Sequence, residues 1–70
     1  MQGTVKWFNE TKGFGFILGD DNNEYFVHAS KLKGCETLKE NDRVCFEPTQ
    51  TLKGNQAFDV ELYKKRNTNH

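Results

Sequence analysis

The sequence predicts an all-β fold of five short strands in one domain. Three observations predict it: apolar residues alternate over short runs, Gly, Asn and Asp bound those runs, and no segment carries an apolar stripe at helical spacing. A chain of 70 residues has room for one thin core. Its stability is expected to be only about 3–5 kcal/mol.

The first strand is expected from Gly3 to Phe8, ending at the turn Asn9-Glu10-Thr11-Lys12. The second runs from Phe14 to Leu18 and the third from Glu24 to His28, joined by Gly19-Asp20-Asp21-Asn22-Asn23, whose residues favour a hairpin turn. A longer connection follows, with Ala29 to Leu32 expected as one helical turn and Glu40-Asn41-Asp42 leading into a fourth strand, Arg43 to Glu47. Pro48 is expected to close that strand. Thr49 to Asn55 reads as a polar loop and Ala57 to Tyr63 as the fifth strand. The domain is thus placed at residues 1–63, with residues 64–70, including Lys64-Lys65-Arg66, as a polar, basic tail.

Period-two alternation assigns faces. Val44, Phe46, Phe58, Val60 and Leu62 join Ile17, Val27, Leu32 and Leu38 in the expected core, while Phe14, Phe16, Phe26 and His28 point away from it. The first strand is less regular. Val5 and Trp7 share one parity and Lys6 and Phe8 the other, so both faces carry a large apolar residue; a bulge or a strong twist would resolve this.

Composition narrows the function. Ten basic and ten acidic residues balance, so any attraction for nucleic acid rests on local clusters and not on overall basicity. Cys35 and Cys45 lack CxxC spacing and read as free thiols. With no leader-like pattern and no apolar span of about 20 residues, a cytoplasmic location is expected. His28 has no nucleophile or paired carboxylate at readable spacing, so no catalysis is expected. Cys35, Cys45 and His70 lack ligand spacing, so neither a metal nor a cofactor is implied.

The informative motif is Lys12-Gly13-Phe14-Gly15-Phe16-Ile17, which fits the start of the ribonucleoprotein-type pattern K/R-G-F/Y-G/A-F-V. Alternate Phe residues on a strand offer two flat rings on one face, where unpaired bases can stack, and a preceding Lys can reach the connecting phosphates. Tyr25-Phe26-Val27-His28 adds Phe26 and His28 to that face, and Lys6-Trp7 extends it along the first strand. An exposed aromatic cluster can equally be a protein interface. The flanking Lys6 and Lys12 and the Gly-spaced Phe pair favour nucleic acid. An RNA-recognition-motif fold shares the Phe-Gly-Phe strand but needs two amphipathic helices, and none is readable.

The sequence closely resembles the bacterial cold-shock proteins through Val5-Lys6-Trp7-Phe8-Asn9, Lys12-Gly13-Phe14-Gly15-Phe16-Ile17 and Phe26-Val27-His28. Thr37-Leu38, Val44, Phe46-Glu47 and Gln56-Ala57 follow in the expected order. The resemblance implies a five-stranded antiparallel OB-fold barrel that binds single-stranded RNA and DNA with little sequence preference and acts as an RNA chaperone in the cold; nothing in the sequence argues for strand swapping, and a monomer is expected. It implies base-stacking roles for Trp7, Phe14, Phe16, Phe26 and His28, backbone-contacting roles for Lys6, Lys12 and Lys53, and lesser contacts from Phe8 and Gln56. The chain departs from that pattern at Ala29 and Cys35, where the family usually has aromatic residues, and at Asn55, where it has proline. The stacking surface is therefore expected to be shorter by two rings.

Overall fold

The computed structural model describes residues 1–63, so the expected basic tail at Lys64-Lys65-Arg66 lies outside the described residues. Five strands form, β1 Gln2–Asn9, β2 Phe14–Gly19, β3 Glu24–His28, β4 Arg43–Thr51 and β5 Gly54–Leu62. A single 3-10 turn, Ala29–Lys31, follows β3. The strands close into a barrel in the order β1-β2-β3-β5-β4. That barrel is all-β, as expected, and the two helices of an RNA-recognition motif are absent from the described residues.

Three expectations need correction. The barrel is not wholly antiparallel, because β3 meets β5 in parallel at Phe26 and Gln56. This follows from the order of the strands: after β3 the chain crosses to β4 before returning as β5, so the closing pair runs in one direction. Pro48 does not end β4. It pairs with Ala57 inside a hairpin that continues to Thr51 and Gly54, beyond the point where β1 covers the other edge of β4 at Phe46. There a missing N–H faces an unpaired edge, the position in a sheet that tolerates proline. The expected loop Thr49–Asn55 is therefore mostly strand, with the turn reduced to Leu52-Lys53 and held by Thr51 Oγ1, which accepts from Lys53 N at 3.2 Å and donates to Gly54 O at 2.9 Å.

The third correction concerns β5. Between the pairs Cys45–Glu61 and Glu47–Phe58, β5 advances by one residue more than β4, and Asp59 takes a left-handed φ of 51°. The extra residue reverses the alternation. Ala57 and Val60 are fully buried and Phe58 is half-buried outside the core, whereas Leu62, on the side of Val60 and paired with Val44, is exposed at the end of β5. The rest of the core contains Val5, Ile17, Tyr25, Val27, Leu38, Val44 and Phe46, with Leu32 partly buried against it.

The bulge anticipated in β1 lies between Val5 and Trp7, where β1 advances two residues and β2 one, from Ile17 to Phe16. It keeps Val5 fully buried and turns Lys6 and Trp7 both to the outside. Phe8 then returns to pack against the core.

A polar clamp ties the far end of the barrel. Both guanidinium nitrogens of Arg43 donate to Asp20, each at 3.0 Å, and the same group donates to Thr4 Oγ1 at 3.0 Å and Gln2 Oε1 at 2.9 Å. This joins β1, the β2–β3 turn and β4. The Arg43 hydrogen bonds hold the Asp20 carboxyl below the usual carboxylate range, and the Tyr25 hydroxyl, donating at 2.6 Å, does the same to Asp21. A carboxyl whose pKa is lower in the folded state contributes stability that is fully present above its unfolded pKa and lost as pH falls through its folded one. The thermal midpoint is therefore expected to hold level from neutrality to about pH 5 and fall below about pH 4. Asp20→Asn should lower the midpoint at pH 7 and flatten the acid limb. Calorimetry that finds the same acid limb in both proteins would remove the clamp from this account.

Candidate nucleic-acid interface

The bulge in β1, the Phe-Gly-Phe alternation of β2 and the register of β3 converge on one outer face. Trp7 pairs with Phe16, Phe16 with Phe26, and Phe14 with His28. Four rings close a circuit on this face. Trp7 meets Phe14 edge-on with centroids 5.8 Å apart and Phe16 at 5.6 Å; Phe26 stacks on Phe14 at 5.8 Å and meets Phe16 edge-on at 5.6 Å. These separations lie within the favourable range for aromatic pairs, so each ring fixes its neighbours' tilt. Trp7 is 42% exposed, far more than a core tryptophan would be.

The turn before β2 is held by Asn9, whose carbonyl accepts from Gly13 N at 2.7 Å and whose Oδ1 accepts from Lys12 N at 2.9 Å. Gly13 has φ 75°, a conformation that glycine adopts without steric cost. Exposed Lys12 is thereby set at the entrance to Phe14. His28, exposed at the end of β3, caps the 3-10 turn: its Nδ1 accepts from Ser30 N at 3.1 Å. That bond places the proton of the neutral ring on Nε2, the nitrogen turned away from the turn.

Beside the ring circuit lies a cleft of about 380 Å³ lined by Phe16, Phe26, Glu24, Lys53, Asn55 and Gln56. It brings Lys53 and Gln56 of the β4–β5 hairpin to the same face as β2 and β3. A larger cleft of about 450 Å³, lined by Lys33, Gly34, Cys45, Glu61, Leu62 and Tyr63, holds only a single ring. Lys6 reaches across to Glu24, with Nζ 2.7 Å from Oε2. The pair is exposed and worth at most about 1 kcal/mol, so a phosphate can compete for the ammonium. Phe8 stands apart from the ring circuit, since it packs toward the core. Of the ten site residues expected from the sequence, nine therefore share one outer surface.

A model of the 'Cold-shock' DNA-binding domain family matches residues 1–63. The chain belongs to the cold-shock domain family. It is 56% identical over 64 residues to a cold shock protein of Arthrobacter globiformis, covering 87% of this chain and 96% of the relative. It is 51% identical over 63 residues to cold shock protein CspV of Vibrio cholerae, covering 86% and 90%. Among solved structures, Drosophila Unr CSD456 has the same fold with a TM-score of 0.74 at 21% identity, over 97% of this chain and 28% of that one.

In this cold-shock domain the two departures noted above have definite places. Ala29 opens the 3-10 turn directly after His28, and Cys35 packs against the core instead of facing outward. Sequence reasoning missed two contributors to the cleft, Glu24 and Asn55. Asn55 enters the cleft only through the pairing of distant strands, whereas Glu24 shares the parity of Phe26 and His28 on β3, so alternation was the signal that could have found it. Among the described residues, no group of three or more His, Cys, Asp or Glu side chains is placed to hold a metal ion.

Proposed function

We propose that the chain binds single-stranded RNA and DNA by stacking unpaired bases on the ring circuit, with low sequence specificity, and acts as a monomeric RNA chaperone in the cytoplasm during adaptation to cold. The observation that carries this reading is the outward-facing circuit of exposed Trp7 and half-buried Phe14, Phe26 and Phe16, flanked by Lys6, Lys12 and Lys53. Every base has a π-face, so rings without a hydrogen-bonding frame accept any sequence. Each stack is worth about 1–3 kcal/mol. Binding the open strand alone draws a folded RNA toward its unpaired state by mass action, with no chemistry and no nucleotide hydrolysis.

Trp7 is both a binding ring and a reporter. Its fluorescence is expected to be quenched by short single strands of DNA or RNA at low salt, and an unchanged signal would refute the reading. With about three lysines reaching phosphates, the logarithm of affinity should fall with that of salt with a slope of about −2, since each contact to a single strand contributes about −0.7. A slope near zero would assign the lysines no phosphate role.

A further inference from the structure

On β5 the buried Ala57 separates Gln56 and Phe58, which both lie half-buried on the outer surface of the barrel. Gln56 lines the aromatic cleft and pairs with Phe26. Further on, Leu32 pairs with Val60, again in parallel, so the segment from His28 to Lys31 runs alongside Phe58. The Phe58 ring is half-buried, as are those of Phe14, Phe16 and Phe26. Among the described residues it forms no pair with another aromatic ring. Instead the ammonium of Lys31 stands over it, 4.4 Å from the centroid. On the other side Glu47 of β4 is paired with Phe58, which disfavours a phosphate there. A strand leaving the cleft past Gln56 is thus guided toward the 3-10 turn and Lys31.

We propose that Phe58 and Lys31 form an additional stacking and phosphate subsite, continuing the aromatic face beyond Gln56 and His28. The proposal rests on the single-strand binding reading and extends it. In the free protein the Lys31 ammonium covers the ring. An exposed cation–π contact is weak enough for a base to displace, and the released ammonium stays anchored by the turn, within reach of the phosphate that follows the stacked base. The bulge at Asp59 makes this possible, because without it Phe58 would share the inward parity of Val60.

The test uses the full chain with tetramers and octamers of deoxythymidine, read by Trp7 fluorescence. Phe58→Leu keeps an apolar side chain but removes the π-face. It should weaken the octamer by about tenfold and leave the tetramer within about twofold. Lys31→Gln, at a surface position that leaves the fold intact, should reduce the salt slope for the octamer by about 0.7 and leave the slope for the tetramer unchanged. Equal losses for both lengths, or none for either, overturn the proposal alone. No response of the unmodified protein to either strand overturns the binding reading and the proposal with it.

Discussion

Gly15→Ala is expected to cost this domain about 2–3 kcal/mol, which is most of the stability a core of this size supplies. Gly15 is fully enclosed between β1 and β3, paired with Phe8 on one side and Val27 on the other. A methyl group there would run into the carbonyl oxygen of Trp7 and stand 2.7 Å from Phe8 Cα, both parts of the β1 backbone. Side chains can rotate away from an intrusion, but a strand in a closed barrel cannot move without breaking pairs with its neighbours. The thermal midpoint should fall by roughly 10–20 °C. Residual folded protein should bind oligonucleotide less well, because the displaced segment carries Trp7. Gly13→Ala is the control. Its added methyl meets only the Ala29 side chain at 3.4 Å, so its cost is the left-handed φ of 75°, about 1 kcal/mol. Thermal and urea denaturation that rank Gly13→Ala as the worse substitution would contradict the packing argument.

The contrast between those two glycines shows how much was legible before the fold was known. The motif Lys12-Gly13-Phe14-Gly15-Phe16 reveals that two rings share a face, because alternation within a strand is a local property. It does not reveal why the residue between them lacks a side chain; that reason lies in β1, at the bulge beside Trp7. The β1 bulge was itself legible, since two large apolar residues of opposite parity in one strand leave no other tidy solution. The β5 bulge was not, because Phe58, Val60 and Leu62 form a clean apolar alternation and only Asp59, with its left-handed backbone, marks the irregularity. Reading that alternation literally placed Phe58 in the core. Likewise Pro48 looks like a strand end in sequence, and only the extent of β1 decides that the edge beside it is unpaired.

Charge was the other quantity that the sequence could only bound. A net charge of zero excludes a strongly basic binder but says nothing about where the charges lie. The fold puts Asp20 and Asp21 at the far end of the β2–β3 hairpin, tied to Arg43, Tyr25 and Asn23. Those carboxylates are engaged away from the ring circuit. Lys12 and Lys53 lie beside the ring circuit and its cleft, with Lys6 shared with Glu24 at the rim. Local attraction for phosphate is therefore compatible with overall neutrality, and its modest size agrees with the shallow salt dependence expected above.

Phe26→Ala is expected to weaken single-strand binding by about 30- to 150-fold, the largest loss for any single ring. One base–aromatic stack removed accounts for about 1–3 kcal/mol, and Phe26 belongs at the upper end because of its neighbours. It touches both rings of the Phe-Gly-Phe motif, stacked on Phe14 and edge-on to Phe16, and it also lines the cleft with Lys53 and Gln56. Removing it leaves Phe14 and Phe16 each without one of the contacts that hold their tilt. The loss should then exceed that of Trp7→Ala, although Trp7 is the larger ring and also touches Phe14 and Phe16, because Trp7 borders no part of the cleft. Phe26→Leu separates packing from stacking: it should fold nearly as well as the unmodified protein while recovering little of the affinity. Titration of a short deoxythymidine strand, followed through Trp7 in the Phe26 variants and by calorimetry for Trp7→Ala, provides the comparison. A loss below about threefold for Phe26→Ala would mean that bases bypass the β3 side of the circuit, and the stacking route would have to be redrawn along β1 and the β4–β5 hairpin.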